Sequence, residues 1–245
     1  MGLNTDRDRC APRLHSGLMT STPLLSHRRG VTTILATVIA VAAVGTAVLG
    51  LHYAGDHSGG RLDTAIDSRL QHRLHGHLRF LHRLVAVADP HWVVVWCAAL
   101  ALLFFLTGRR RAAVLAALGP AIAAGFTEFV LKPLIGRRIN DELSFPSGHT
   151  TAAVSVVVVV VIVLLGPNRP GWPPIARWSA SALALLAAVA VATALVGSGY
   201  HYATDTLGGF CVAVGVVLAV AWAIDEVCVR SEHVASSADR TREPV

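Results

Sequence analysis

Charged side chains are nearly absent from six long stretches of this chain. Residues 31–51, 91–107, 150–166, 178–197 and 206–224 contain none, and 112–131 contains only Glu128. With 53% apolar residues and a mean hydropathy of +0.57, that lack of charge excludes both a soluble domain and a disordered chain. Lysine is almost missing: Lys132 stands alone among 21 basic side chains. The arginines are scattered over loops and tails, so the +6 formal charge forms no basic stripe and implies no nucleic-acid partner. Cysteine is sparse as well. Cys97 and Cys211 fall inside apolar runs and Cys10 and Cys228 in the flanks, which excludes a disulfide framework and makes buried or reduced thiols the default. No A-x-A site follows the first run, and its apolar part is longer than the about 7–15 residues of a signal core, so it reads as a retained anchor.

What is present is the pattern of an all-α integral membrane protein. A helix of about 20 apolar residues crosses the hydrocarbon core, and only a helix satisfies its own backbone there. The six runs predict six transmembrane helices in a bundle, as a membrane domain over 31–224 with tails over 1–30 and 225–245. Thirteen basic residues would lie on the side of the two termini against eight on the other. The positive-inside rule then makes both tails cytoplasmic. Trp92, Trp172, Trp178 and Trp222 sit near run ends, as interfacial tryptophans do. The loop over roughly 52–90 differs in kind. Leu70, Leu74, Leu78, Leu81 and Val85 recur at spacings of three and four, opposed by Arg69, Arg73, Arg79 and Arg83. This predicts an external amphipathic helix on the membrane surface, between the first and second spans. Its His72, His75, His77 and His82 lack a carboxylate or cysteine at ligand spacing, and a solvated polar face accounts for them.

Chemistry-bearing residues gather at the ends of the runs. Lys132-Pro133-Leu134-Ile135-Gly136-Arg137-Arg138 supplies three cations in seven residues. Phe145-Pro146-Ser147-Gly148-His149 opens the fourth run. Ser147 suits an N-cap and Gly148 a close backbone approach, and a helix start offers free N–H groups to an anion. A plain turn and cap would explain Ser147 and Gly148 but not the histidine. His201-Tyr202-Ala203-Thr204-Asp205 opens the sixth run, with imidazole and carboxylate four residues apart, the arrangement that frees one ring nitrogen for attack. Alternatively, His201 is interfacial and Asp205 a first-turn carboxylate. Glu128 lies four residues before Lys132, either neutralising it or aiming its ammonium at a phosphate. Helix counting puts all these segments on one non-cytoplasmic face.

In order and spacing these segments resemble the type 2 phosphatidic acid phosphatase family, membrane lipid phosphatases related to vanadium haloperoxidases. The family pattern is K-x6-R-P, P-S-G-H and S-R-x5-H-x3-D on six helices, and the resemblance is close over about 120–205. It implies His201 as the nucleophile of a phosphohistidine, Asp205 as its orienter, and His149 as general acid and then base. It further implies Lys132, Ser147 and the Gly148 amide at the phosphoryl oxygens, and no metal or other cofactor. Two positions depart. Ile139-Asn140 stands where the arginine–proline is expected, so Arg137 or Arg138 is the candidate phosphate ligand in its place. Ala194-Leu195 replaces the serine–arginine pair.

The reading is an integral membrane phosphatase acting on a lipid phosphate or diphosphate ester at the outer face. Polyprenyl diphosphate, phosphatidylglycerol phosphate and phosphatidic acid are the candidates the resemblance implies. Arginine-for-lysine usage suggests a GC-rich bacterial genome, and with it the plasma membrane and cell-envelope lipid metabolism. Two rivals stand beside it: a metal-dependent membrane hydrolase, since two histidines and a carboxylate can bind a transition metal, and a non-catalytic lipid-binding protein of the same fold. Transfer of the phosphoryl group to an alcohol would use the same residues.

Overall fold

The computed structural model describes residues 22–26, 29–167 and 169–240. Arg7, Arg9, Arg13, Arg28, Arg242 and Cys10, which enter the topology and thiol readings, lie outside the described residues. Of the described residues, 79% are helical. In chain order the elements are α1 (Arg29–His52), α2 (Arg61–Leu74), α3 (Leu78–Ala86), α4 (Pro90–Leu106) and α5 (Arg110–Phe126). A π-turn (Thr127–Leu131) and the short α6 (Lys132–Ile135) continue α5. A two-stranded antiparallel hairpin, β1 (Arg138–Ile139) and β2 (Glu142–Leu143), leads to α7 (Gly148–Leu165), α8 (Pro174–Gly197) and α9 (Ala203–Arg240).

Among the described residues, five helices are long and apolar enough to cross a membrane: α1, the continuous Arg110–Ile135 segment, α7, α8 and Ala203–Ser231. The second apolar run forms α4, a helix of 17 residues, and counts as a sixth span only when joined to Arg61–Ala86 across a 47° bend. Pro90 at its first turn fixes that bend, because proline fits helix position N1 but cannot continue the preceding helix. The stretch expected as one amphipathic helix is two, α2 and α3, separated by a 3₁₀ turn at His75–His77. Its apolar edge faces protein: Leu81, Val85 and Ala88 are buried against Val191, Ala194 and Leu195 of α8. The last helix does not stop near residue 224 but runs on to Arg240.

Helix α9 is central and packs on α7, α1 and α5, while α7 also packs on α8 and α5. The core between them is built largely from small and β-branched residues, among them Ala112, Ala116, Val154, Val159, Ala213, Val217 and Ala221. In a bilayer, where lipid is as apolar as the core, such residues let helix backbones approach and gain van der Waals contact. At the end of α9 remote from Asp205, the fully buried Asp225 accepts from Leu24 N–H at 3.0 Å, Leu25 N–H at 2.8 Å and Arg111 Nη1 at 3.3 Å. The bundle is thereby fixed at one end by this carboxylate and at the other by the groups described next.

Candidate active site

Ser147 caps α7 as its sequence context predicts, its Oγ accepting from Thr150 N–H at 3.3 Å. The same residue ties α7 to α9, since Ser147 N–H donates to Asp205 O at 3.0 Å. The helices touch here because of Gly209: a Cβ on it would sit 2.6 Å from Ser147 O. Backbone contact of this kind brings the two histidine segments together. His149 lies in the first turn of α7 and His201 in the bend before α9, and their ring centroids are 6.4 Å apart.

Asp205 serves several partners. Its Oδ2 accepts from Tyr202 N–H at 3.2 Å and lies 3.7 Å from His201 Nδ1, which is buried and makes no hydrogen bond. Its Oδ1 accepts from Arg137 Nη1 at 2.6 Å. Arg137 is fully buried between Tyr53 and Tyr202, with its guanidinium carbon 4.0 and 4.4 Å from the two ring centroids. It also donates to Thr204 Oγ1 at 2.7 Å through Nη1 and to Asp63 Oδ2 at 2.6 Å through Nη2. The arginine expected at the phosphate is therefore occupied by two carboxylates. Arg138 donates to the backbone oxygen of Asp141 in the hairpin turn.

Asp63 and Asp67 were not singled out by the sequence reading, yet they hold the start of α9. Asp63 accepts from Thr204 N–H at 3.0 Å, and Asp67 accepts from Ala203 N–H at 3.2 Å. Two first-turn amides of α9 thus find acceptors on α2 rather than in their own sequence, and the negative charge suits the positive end of the helix dipole. The available signal was two aspartates four residues apart on an otherwise basic helix, hence on one face. Burial raises the Asp67 carboxyl to about 6, aided by the charges of Asp63 and Asp205, while the Ala203 N–H and Arg137 oppose the shift.

The two histidines open onto a cavity of about 770 Å³. Its polar end carries Glu128, Lys132, Glu142, Gly148, His149 and His201, and its walls run along Val93, Val94, Cys97, Ala98 and Ala101 of α4 and Ala117, Ala121 and Ala124 of α5. Lys132 Nζ pairs with Glu128 Oε1 at 2.8 Å, and the pair lies against the start of α7, with Lys132 Nζ 3.6 Å from where a Cβ on Gly148 would sit. A Cβ on Gly148 would fall on Glu128 Oε1, so a larger residue there would push that carboxylate away from its present place. Arg137, Arg138 and the side chain of Ser147 do not line the cavity; among the described residues no arginine does. Leu195, at the position of the expected arginine, is fully buried in the apolar cluster under α3. A second carboxylate reaches the site from an unanticipated place, Asp89 Oδ1 lying 3.3 Å from His149 Nε2. Among the described residues no three His, Cys, Asp or Glu side chains form a group suited to a metal ion, the four histidines of 72–82 included.

This arrangement can hold one phosphoryl group between two imidazoles, with one ammonium and a helix start beside it and an apolar channel beyond. Residues 126–227, which contain every one of these motif residues from Glu128 to Asp205, match the family model described as the PAP2 superfamily. No curated protein and no solved structure matches the chain.

Proposed function

We propose that the chain, whose residues 126–227 match the PAP2 superfamily model, hydrolyses a phosphate or diphosphate ester of a lipid through a phosphohistidine on His201. The observation that carries this reading is the 6.4 Å separation of the His149 and His201 rings at the polar head of an otherwise apolar cavity. Reacting atoms must approach to about 3–3.5 Å, and two rings this close can meet one phosphoryl ester, one at phosphorus and the other at the leaving oxygen. Asp205 faces Nδ1 of His201 and leaves Nε2 to attack. As the P–N bond forms and the ester P–O bond breaks, His149 gives its proton to the leaving oxygen. It then takes one from the water that cleaves the P–N bond, and phosphate leaves with His201 restored. Lys132 and the amides at the start of α7 meet the developing charge on the equatorial oxygens.

The small side chains of α4 and α5 give a lipid tail a path from this head into the bilayer, which supports a lipid substrate. Polyprenyl diphosphate, phosphatidylglycerol phosphate and phosphatidic acid all meet that requirement. The excess of basic residues on the side of the termini supports cytoplasmic tails over 1–30 and 225–245, a phosphatase domain over 31–224, and a site facing outward in a bacterial plasma membrane. A non-catalytic lipid-binding reading draws on one observation, the absence of any arginine from the cavity lining. The experiment that separates them is phosphate release from a panel of lipid phosphates by detergent-solubilised wild type and His201→Ala. The enzyme reading expects release on at least one lipid and its loss in the variant. No release on any lipid favours the binding protein.

A further inference from the structure

We infer that Asp89 is a positioning residue for His149, making the proton donor a second carboxylate–imidazole pair; this rests on the phosphohistidine reading above. Asp89 is the N-cap residue of α4, where an aspartate ordinarily accepts from the amides of its own first turn. Its side chain makes no such bond. The carboxylate instead reaches His149 Nε2 at 3.3 Å, linking residues 60 apart in sequence.

The backbone that carries Asp89 is held firmly. Its N–H donates to Ala86 O at 3.2 Å and its carbonyl accepts from Val93 N–H at 3.0 Å. Ala88 beside it is buried in the cluster that joins α3 to α8. A fixed carboxylate on one ring nitrogen sets the ring's orientation and tautomer and stabilises the imidazolium that proton transfer requires. With Nε2–H donating to Asp89, the proton that reaches the leaving oxygen departs from Nδ1. The other titratable groups near His149 are His201, the Lys132 ammonium with its partner Glu128, and Glu142 across the cavity. Glu128 is taken up by Lys132 at 2.8 Å, and among the described residues Asp89 is the carboxylate within hydrogen-bond reach of the His149 ring. The site then contains two imidazole–carboxylate pairs with distinct tasks, Asp205 behind the nucleophile and Asp89 behind the acid.

General-acid assistance matters when the leaving oxygen is basic and little when it is already stable as an anion. The test therefore compares kcat of detergent-solubilised protein on dodecyl phosphate and on 4-nitrophenyl phosphate, for wild type, Asp89→Asn, Asp89→Glu and His149→Ala. The expected result is a loss in Asp89→Asn on the order of tenfold greater on dodecyl phosphate than on 4-nitrophenyl phosphate, with Asp89→Glu recovering most of the difference and His149→Ala showing the same bias more strongly. Equal losses on both substrates in Asp89→Asn, or none on dodecyl phosphate, while His149→Ala keeps its bias, would overturn the role of Asp89 and leave the phosphatase reading intact. A His149→Ala variant without leaving-group bias would instead remove the general acid itself, and wild type inactive on both probes and on every lipid phosphate would remove the reading.

Discussion

Arg137 and Asp205 meet at 2.6 Å with both side chains fully buried. Asp63 takes the other terminal nitrogen at the same distance, so the guanidinium is a strut between α2 and the turn that carries His201. Removing one member of a buried ion network leaves an uncompensated charge and costs about 3–5 kcal/mol. Arg137→Ala is expected to lower the thermal unfolding temperature in detergent sharply. Arg137→Lys should follow it, because an ammonium cannot span two carboxylates as a planar fork does. If Arg137→Ala retains full stability and only raises KM, the residue is a phosphate ligand instead.

Asp67 gives the fold a pH dependence of definite sign. Its carboxyl stands near about 6 when folded against 3.8 ordinarily, so between those values the native state holds a proton the unfolded chain releases. The stability contributed by this group is complete below about pH 4 and is lost as pH rises through about 6. Asp67→Asn carries no such titration and keeps an acceptor for Ala203 N–H. The unfolding temperature of Asp67→Asn relative to wild type should therefore climb from pH 5 to pH 7.5. A constant difference across that range would contradict the assignment.

Gly209 sets the spacing of the two histidine segments. Its absent Cβ leaves room for Ser147 O, a backbone atom that cannot step aside as a flexible side chain would. Gly209→Ala should separate α7 from α9 locally and cost about 1–3 kcal/mol, the range for overpacking. Because the shift falls between His149 and His201, kcat should fall further than stability does. A variant with wild-type kcat would show that this contact does not set the catalytic distance.

Leu195 shows why the expected third-motif arginine is missing. The position is fully buried among Leu81, Val85, Ala88, Val191 and Ala194, so an arginine there would carry an unpaired charge into an apolar cluster. Leu195→Arg is expected to reduce the yield of folded protein and not to raise phosphatase activity. An active, stable variant would mean that α3 can lift from α8 to make room.

The apolar runs, the Ser147 cap and the Glu128–Lys132 pair were legible because each is local: a run length, a turn residue, an i,i+4 spacing. The partners of the motif residues were not. Asp63, Asp67 and Asp89 reach Arg137, Ala203, Thr204 and His149 across 60 to 141 residues, and no local spacing names a partner that distant. The amphipathic stretch was misleading for a related reason. An apolar edge has the same periodicity whether it faces lipid or α8, and only the two aspartates on α2 hinted at a protein partner. Arg137 and Arg138 were indistinguishable in sequence, although one is buried and the other turns to the hairpin.

The central claim is that His201 carries the phosphoryl group in transit. Phosphatidic acid labelled in its phosphate, mixed with detergent-solubilised protein and quenched during turnover, should leave an acid-labile, alkali-stable label on the peptide containing His201, with none on His201→Ala. Phosphate release by His201→Ala at the wild-type rate, or a label mapping to another residue, would contradict it.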